Sequence, residues 1–145
     1  MTRIERSALV RYPAQSMLEL VCDIESYPEF LPWCRTGRIL SITEDYVEAE
    51  LEVAKGAFNK RFSTRNRVVN DAEIRMSLLD GPFSYLEGVW KFLPLREDAT
   101  KVSLILEFEI SNRIGALAFG AVFTQICNSM VSAFSRRAKE LHHRT

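Results

Sequence analysis

The residue types that most often perform acid–base or nucleophilic chemistry are sparse in this chain. Its two histidines, His142 and His143, both lie in the last four residues. Chain ends are usually mobile, so neither is a well-placed base for a Ser-His-Asp or Cys-His arrangement. HExxH, Walker and GxGxxG motifs are absent from the sequence. We therefore predict no catalytic residues, although the sequence leaves open acid–base work by a buried carboxylate with a shifted pKa.

The cysteines do not suggest a metal or redox site. Cys22, Cys34 and Cys127 are far apart and odd in number, and no CxxC spacing occurs. This pattern disfavours a zinc ribbon or a thioredoxin-like site. We predict reduced thiols, no metal and no cofactor, as expected for a cytoplasmic protein. The first residues, Met1 to Arg6, lack the apolar segment of a signal peptide, which agrees with that location.

Two rows of opposite charge lie on neighbouring predicted strands. The acidic row is Glu48, Glu50 and Glu52, and the basic row is Lys60, Arg61, Arg65 and Arg67. A basic row beside aromatic residues can bind RNA. However, a turn at Lys55-Gly56 places Glu50 opposite Arg61 and Glu48 near Arg65, and such cross-strand pairs stabilise sheets. Structural pairing is the favoured interpretation, and RNA binding is the alternative.

Length and composition predict one ordinary domain, residues 1–145. The chain has 145 residues, 47% of them apolar, and 19 basic residues balance 19 acidic ones. A neutral chain lacks the basic excess of a dedicated nucleic-acid binder, so we expect no DNA partner. The longest nearly apolar run, Ile114 to Phe123, covers about ten residues, whereas spanning a bilayer takes about 20.

Hydrophobic periodicity predicts an α+β fold. We predict a strand at Arg3–Arg11, a helix at Ala14–Cys22, a short helix near Tyr27–Leu31 and alternating strands from Arg38 onward, which short turns join into an antiparallel meander. Asn112 is a candidate cap for a long helix, roughly Arg113 to Leu141. One sheet with a single apolar face needs a cover, so we expect a curved antiparallel sheet that grips the long helix.

Aromatic residues concentrate on the predicted inner face of this sheet and on the long helix. A flat, fully packed core would accommodate them. Alternatively, a curved sheet and a straight helix leave a tapering space, and apolar pockets of this kind hold small ligands. Gly88, on the inner row, fits either close packing or room for a ligand.

The first third of the long helix is apolar on nearly all sides. An all-round apolar helix must be covered by a loop, a partner, a membrane surface or a lipid-like ligand. Its glycines lower helix stability. We therefore expect Ile114 to Phe123 to act as a movable gate over a pocket.

Two motifs resemble those of a known family. Asp23 to Cys34 reads D-I-E-S-Y-P-E-F-L-P-W-C, and Asp80 to Phe92 reads D-G-P-F-S-Y-L-E-G-V-W-K-F. Both are similar to motifs of the coenzyme Q-binding/polyketide cyclase-like family in the START-like superfamily, which includes mitochondrial coenzyme Q chaperones and a bacterial ribosome-association toxin. A looser match runs from Lys55-Gly56 to Phe62–Asn66, and a fourth lies at Ala133 to Ala138, so the resemblance covers nearly the whole chain.

The resemblance implies a helix-grip fold and two functions. The first is non-catalytic binding and delivery of ubiquinone or a related lipid in support of respiration, with a transient contact at the inner membrane face. The second is association with the large ribosomal subunit that blocks subunit joining, through the basic row or the Arg136/Arg137 cluster. A polyketide cyclase or dehydratase is a weaker alternative, because no acid or base stands out for a cavity.

On the carrier hypothesis, aromatic and large apolar residues line the cavity: Phe30, Trp33, Phe58, Phe62, Phe83, Leu86, Trp90, Phe92, Phe108, Phe119, Phe123 and Met130. Gly81 and Pro82 are expected at the rim, and Ile114 and Leu117 in the gate.

Overall fold

The computed structural model describes residues 1–56, 58–111 and 116–143. Its strands are β1 (Thr2–Val10), β2 (Cys34–Ile42), β3 (Val47–Lys55), β4 (Phe58–Val69), β5 (Glu73–Asp80), β6 (Phe83–Arg96) and β7 (Ala99–Ile110). The helices are α1 (Ala14–Cys22), a 3₁₀ segment (Ile24–Glu29) and the long α2 (Ala116–His143).

The strands form one antiparallel sheet of seven strands in the order β1-β7-β6-β5-β4-β3-β2. Strands β2 to β7 are successive hairpins, which confirms the predicted meander, and β1 extends the sheet at one edge by pairing with β7. Asn70 and Asp71 both have positive φ angles, 53° and 52°, in the β4–β5 turn. These residues tolerate the left-handed region, so they fix this hairpin and its register.

The helix α2 covers the inner face of the sheet, as the α+β prediction required. Phe119, Phe123 and Phe134 follow the helical period and are buried against the strands. Ser and Thr side chains along the helix bond to backbone oxygens one turn back, for example Ser135 Oγ to the oxygen of Val131 at 2.8 Å. The predicted start at Asn112 and Arg113 lies outside the described residues, and the helix ends at His143, two residues after the predicted end.

Other element boundaries differ from the predictions by a few residues. The short helix begins at Ile24 rather than Tyr27 and contains Pro28. The strand β2 begins at Cys34, whereas the alternation predicted extended structure only from Arg38. Among the described residues, no helix is long and apolar enough to cross a membrane.

Candidate functional site

An internal cavity of about 70 Å³ lies between α2 and the inner face of the sheet. Its walls come from the 3₁₀ segment, β3 to β7 and the middle of α2, because side chains alternate along each strand and half of them point inward. The lining residues are Ile24, Tyr27, Trp33, Ala49, Leu51, Phe62, Thr64, Asn66, Met76, Leu86, Trp90, Leu104, Leu106, Phe123, Ile126, Cys127 and Met130.

Two polar side chains of β4 interrupt this apolar wall. The Thr64 hydroxyl donates a hydrogen bond to Asn66 Oδ1 at 2.8 Å. The amide nitrogen of Asn66 makes no hydrogen bond to any described residue, so it can donate to a ligand oxygen. Among the described residues that line the cavity there is no Asp, Glu, His, Lys or Arg. The wall can therefore orient a carbonyl group but offers no strong acid or base.

A second cavity, of about 80 Å³, lies behind the first. The two cavities share the side chains of Ile24, Tyr27, Asn66, Met76 and Trp90, which separate them. The Tyr27 hydroxyl donates to the backbone oxygen of Val21, and burial raises its pKa well above the ordinary value. Tyr27 is thus a neutral hydrogen-bond donor at any physiological pH, held in place by the chain that precedes it.

Trp33 and Ile126 separate the internal cavity from a surface cleft of about 380 Å³. Lys55 and Gln125 border this cleft, and Lys55 Nζ donates to Gln125 Oε1 at 2.7 Å. Both side chains are exposed, so this hydrogen bond competes with water and contributes little stability. Trp33 is half-buried at the boundary between the cleft and the cavity.

The structure divides the predicted cavity residues into two groups. Six lie on the cavity wall: Trp33, Phe62, Leu86, Trp90, Phe123 and Met130. Five pack into the hydrophobic core instead of bordering the cavity: Phe30, Phe83, Phe92, Phe108 and Phe119. Ile114 and the side chains of Phe58 and Leu117 lie outside the described residues. Whether the wall residues bind a ligand stays a prediction.

Dense ring packing explains why one end of the predicted cavity is filled. The Phe83 ring contacts the rings of Phe119 and Phe123, with centroids 5.3 and 4.9 Å apart. Phe108 closes the cluster at 4.9 Å from Phe123. Edge-to-face rings at these distances are favourable beyond their burial, and they leave no space for a ligand.

The predicted rim residues Gly81 and Pro82 form the β5–β6 turn rather than a cavity edge. Gly81 has φ 148°, and a Cβ there would lie 2.6 Å from the Cβ of Phe62. On α2, Ala118 and Ala121 are exposed, and Ile114 and the side chain of Leu117 lie outside the described residues. The gate predicted for this segment therefore stays a prediction.

Close packing, rather than ligand space, accounts for Gly88. A Cβ at this position would lie 2.5 Å from Leu106 Cδ2 and 2.8 Å from Met76 Cε. Both of these neighbours border the cavity. The absence of a side chain at Gly88 therefore lets Leu106 and Met76 occupy the inner face.

The charged rows pair across strands, with one change of register. Arg65 faces Glu48 as predicted, and its Nη2 lies 2.8 Å from Glu48 Oε2. Arg61 faces Glu52 rather than Glu50, although its guanidinium contacts both, at 3.4 and 3.6 Å. This neutralises much of the basic row that RNA binding was expected to use.

Sequence reasoning missed the polar pair Thr64 and Asn66. They continue the inward row that begins with Phe62, so the period of two contained their position. It also missed Met76, Leu106 and Ile126 on the cavity wall, which aliphatic periodicity alone does not distinguish from core. Within the described residues, no group of three His, Cys, Asp or Glu side chains is placed to hold a metal ion.

A curved antiparallel sheet around a long C-terminal helix, with a cavity between them, defines the helix-grip fold. The chain resembles the Zhui aromatase/cyclase of Streptomyces sp. R1128 (TM-score 0.81, 18% identity, 95% of this chain and 93% of that one). It also resembles a START superfamily protein of Mycobacterium smegmatis (TM-score 0.79, 19% identity, 96% and 98%). At these identities, the likeness shows the fold alone.

The family follows from sequence. Residues 10–135 match the model described as polyketide cyclase/dehydrase and lipid transport, and the chain belongs to that family. It is 48% identical over 141 residues to the Ribosome association toxin RatA of Pseudomonas aeruginosa, covering 97% of this chain and 98% of that one. It is 28% identical over 148 residues to the mitochondrial Coenzyme Q-binding protein COQ10 homolog B of Xenopus laevis, covering 98% and 61%.

Proposed function

We propose that this protein associates with the ribosome and acts by binding rather than by catalysis. The observation that carries the proposal is the 48% identity, over nearly the full length of both chains, to a relative named a ribosome association toxin. The coenzyme Q-binding relative is only 28% identical and extends well beyond the region matched. The absence of a charged side chain among the described cavity-lining residues also supports binding over catalysis.

The small size of the cavity also favours ribosome association over quinone binding. About 70 Å³ is far below the roughly 300–1,000 Å³ of typical ligand pockets. A long isoprenoid tail therefore needs an opened form of the protein, whereas ribosome association uses the surface and needs no cavity. The large ribosomal subunit is the proposed partner, and interference with subunit joining is the proposed consequence.

Sedimentation tests this function directly. The purified protein would be mixed with separated ribosomal subunits at low salt and centrifuged through a sucrose gradient. We expect it in the large-subunit fraction, and we expect fewer whole ribosomes when it is added before the subunits are rejoined. Binding should weaken as salt rises, because contacts with RNA phosphates release counterions. No co-sedimentation at the lowest salt would refute the proposal.

A second candidate function is the binding of a small apolar ligand that carries a carbonyl group. The amide nitrogen of Asn66, which donates to no described residue, supports it, since this nitrogen can donate a hydrogen bond inside an otherwise apolar wall. A quinone ring fits this chemistry, and Trp33 and Ile126 lie where it would enter from the surface cleft.

Titration with a short-chain ubiquinone, followed through tryptophan fluorescence, tests this candidate. Asn66→Leu keeps the side-chain volume and removes the donor, so affinity should fall by roughly three- to tenfold, the value of one hydrogen bond. Asn128→Leu, at an exposed position of α2, is the matched control for loss of an amide. Equal affinity in wild type and Asn66→Leu would refute the proposed role of Asn66.

A further inference from the structure

The outer face of the sheet carries a charged groove that is separate from the internal cavity. The groove measures about 440 Å³ and crosses β4 to β7 on the side away from α2. Val89 and Ile105, directly opposite each other in the sheet, form its apolar floor. Charged and polar side chains border this floor on both sides, so the groove can hold an extended, charged chain.

The most unusual feature of this groove is a pair of arginines that face each other. Arg67 of β4 is the direct cross-strand partner of Arg75 of β5. Arg75 Nε lies 3.1 Å from Glu73 Oε2, whereas Arg67 has no ion pair or hydrogen bond to any described residue. Like charges directly opposite each other destabilise a sheet. An anion bound between the two guanidiniums would remove that repulsion.

Lys91 extends the basic side of the groove. It is the cross-strand partner of Glu73, yet within the described part of the chain it makes no ion pair. Arg65, at the other end, is already neutralised by Glu48. The unsatisfied positive charge is therefore centred on Arg67 and Lys91, with Arg75 between them.

The opposite wall of the groove is acidic. Glu107 Oε1 lies 3.6 Å from Arg3 Nε, and the neighbouring Glu87 carboxylate raises the pKa of Tyr85. A bound molecule thus meets cations on the β4–β5 side and carboxylates with a tyrosine on the β6–β7 side. This polarity selects a ligand with anions along one edge and hydrogen-bond donors along the other.

We propose that the groove of Arg67, Arg75 and Lys91 binds a single strand of RNA through its phosphates. The inference rests on the proposed function, because the ribosome presents RNA phosphates on its surface. Guanidinium groups match phosphate oxygens in a two-pronged geometry. The exocyclic amino groups of the bases are donors that suit Glu87 and Glu107. An acidic peptide fits less well, because the side chains of an extended peptide alternate in direction and some of its carboxylates would face these glutamates.

Fluorescence anisotropy with a short labelled single-stranded RNA tests the assignment. The double variant Arg67→Gln/Arg75→Gln should bind at least tenfold more weakly. The slope of log K against log salt should fall by about 1.4, since each contact with a single strand contributes about 0.7. Arg6→Gln/Arg96→Gln removes the same charge outside the groove and should change little. The melting temperature of the double variant should equal or exceed that of wild type, because the repulsion is gone.

Several outcomes would overturn the assignment. Unchanged RNA affinity in the double variant would do so, as would an equal loss in the control, which would indicate bulk charge. Stronger competition by poly-glutamate than by RNA would identify an acidic protein partner instead. If the double variant unfolds, the single variant Arg67→Glu tests the assignment instead. It places opposite charges across β4 and β5, so it should fold and should no longer bind RNA.

Ribosome sedimentation of the same variants separates this inference from the proposed function. If wild type and double variant both sediment with the large subunit, ribosome association is supported and the proposed RNA-binding role of the groove is refuted. If wild type binds RNA through the groove but never sediments with ribosomes, RNA binding in the groove is supported and ribosome association is refuted.

Discussion

The two faces of one sheet carry candidate binding surfaces of opposite character. The inner face borders an apolar cavity of about 70 Å³, and the outer face holds a charged groove of about 440 Å³. A single strand, β4, contributes Thr64 and Asn66 to the cavity and Arg65 and Arg67 to the groove. Successive residues of a strand point to opposite faces, so neighbouring substitutions on β4 can separate ligand binding from partner binding.

The largest expected difference between the faces concerns stability. Phe134 is fully buried and packs edge-on against Tyr27 and Trp90. Phe134→Ala should lower the free energy of unfolding by about 3–5 kcal/mol. Leu93→Ala, at an exposed position of β6, should change it by no more than about 0.5 kcal/mol. Urea denaturation of the two variants measures both values, and similar losses would contradict the description of the inner face as the core.

Gly88 tests the boundary between the faces. In Gly88→Ala the new Cβ displaces the ends of Leu106 and Met76 into the cavity, and overpacking of this kind costs about 1–3 kcal/mol. Lys91→Ala, on the same strand but facing outward, should leave stability nearly unchanged. We expect Gly88→Ala to weaken short-chain ubiquinone binding while RNA binding is kept. If Gly88→Ala also lost RNA binding, the cavity and the groove would be coupled.

Arg65 and Arg67 sharpen the comparison within the outer face. Arg65 pairs with Glu48 through both Nε and Nη2, at 3.1 and 2.8 Å, so Arg65→Gln should cost about 0.5–1 kcal/mol. Arg67→Gln should cost nothing or raise stability, because it removes the repulsion from Arg75. Thermal denaturation distinguishes the two arginines. A loss at Arg67 as large as at Arg65 would indicate a structural role for Arg67.

The smallest expected effect is the acid sensitivity of Glu52. Hydrogen bonding from Asn59, together with the Arg61 charge and the Thr36 hydroxyl, holds its pKa below the usual value of 4.5. A lowered folded-state pKa stabilises the protein above the unfolded pKa, and this stability is lost as pH falls through the folded value. Glu52→Gln should therefore flatten the decline in stability below about pH 4.5. Urea denaturation across acidic pH, with exposed Glu44→Gln as control, measures it.

Much of the fold could be predicted because the signals are local. Alternation of apolar residues identified most of the strands, and turn residues such as Asn70 and Asp71 marked a hairpin. The helical period of Phe119, Phe123 and Phe134 identified the face of α2 that packs on the sheet. The pairing of β1 with β7 joins the first strand of the chain to the last strand of the meander. No local pattern contains that contact, so it required the structure.

The candidate site shows the same division. The sequence by itself determined which side chains face inward, and six predicted residues reach the cavity wall. Only the tertiary structure decided that the rings of Phe83 and Phe108 pack against each other while Trp90 borders the cavity. Packing depends on the distances between strands, which the sequence does not show. Similarly, the sequence supplied Arg67 and Arg75, but their opposition depends on the β4–β5 register, which a slip of one residue would abolish.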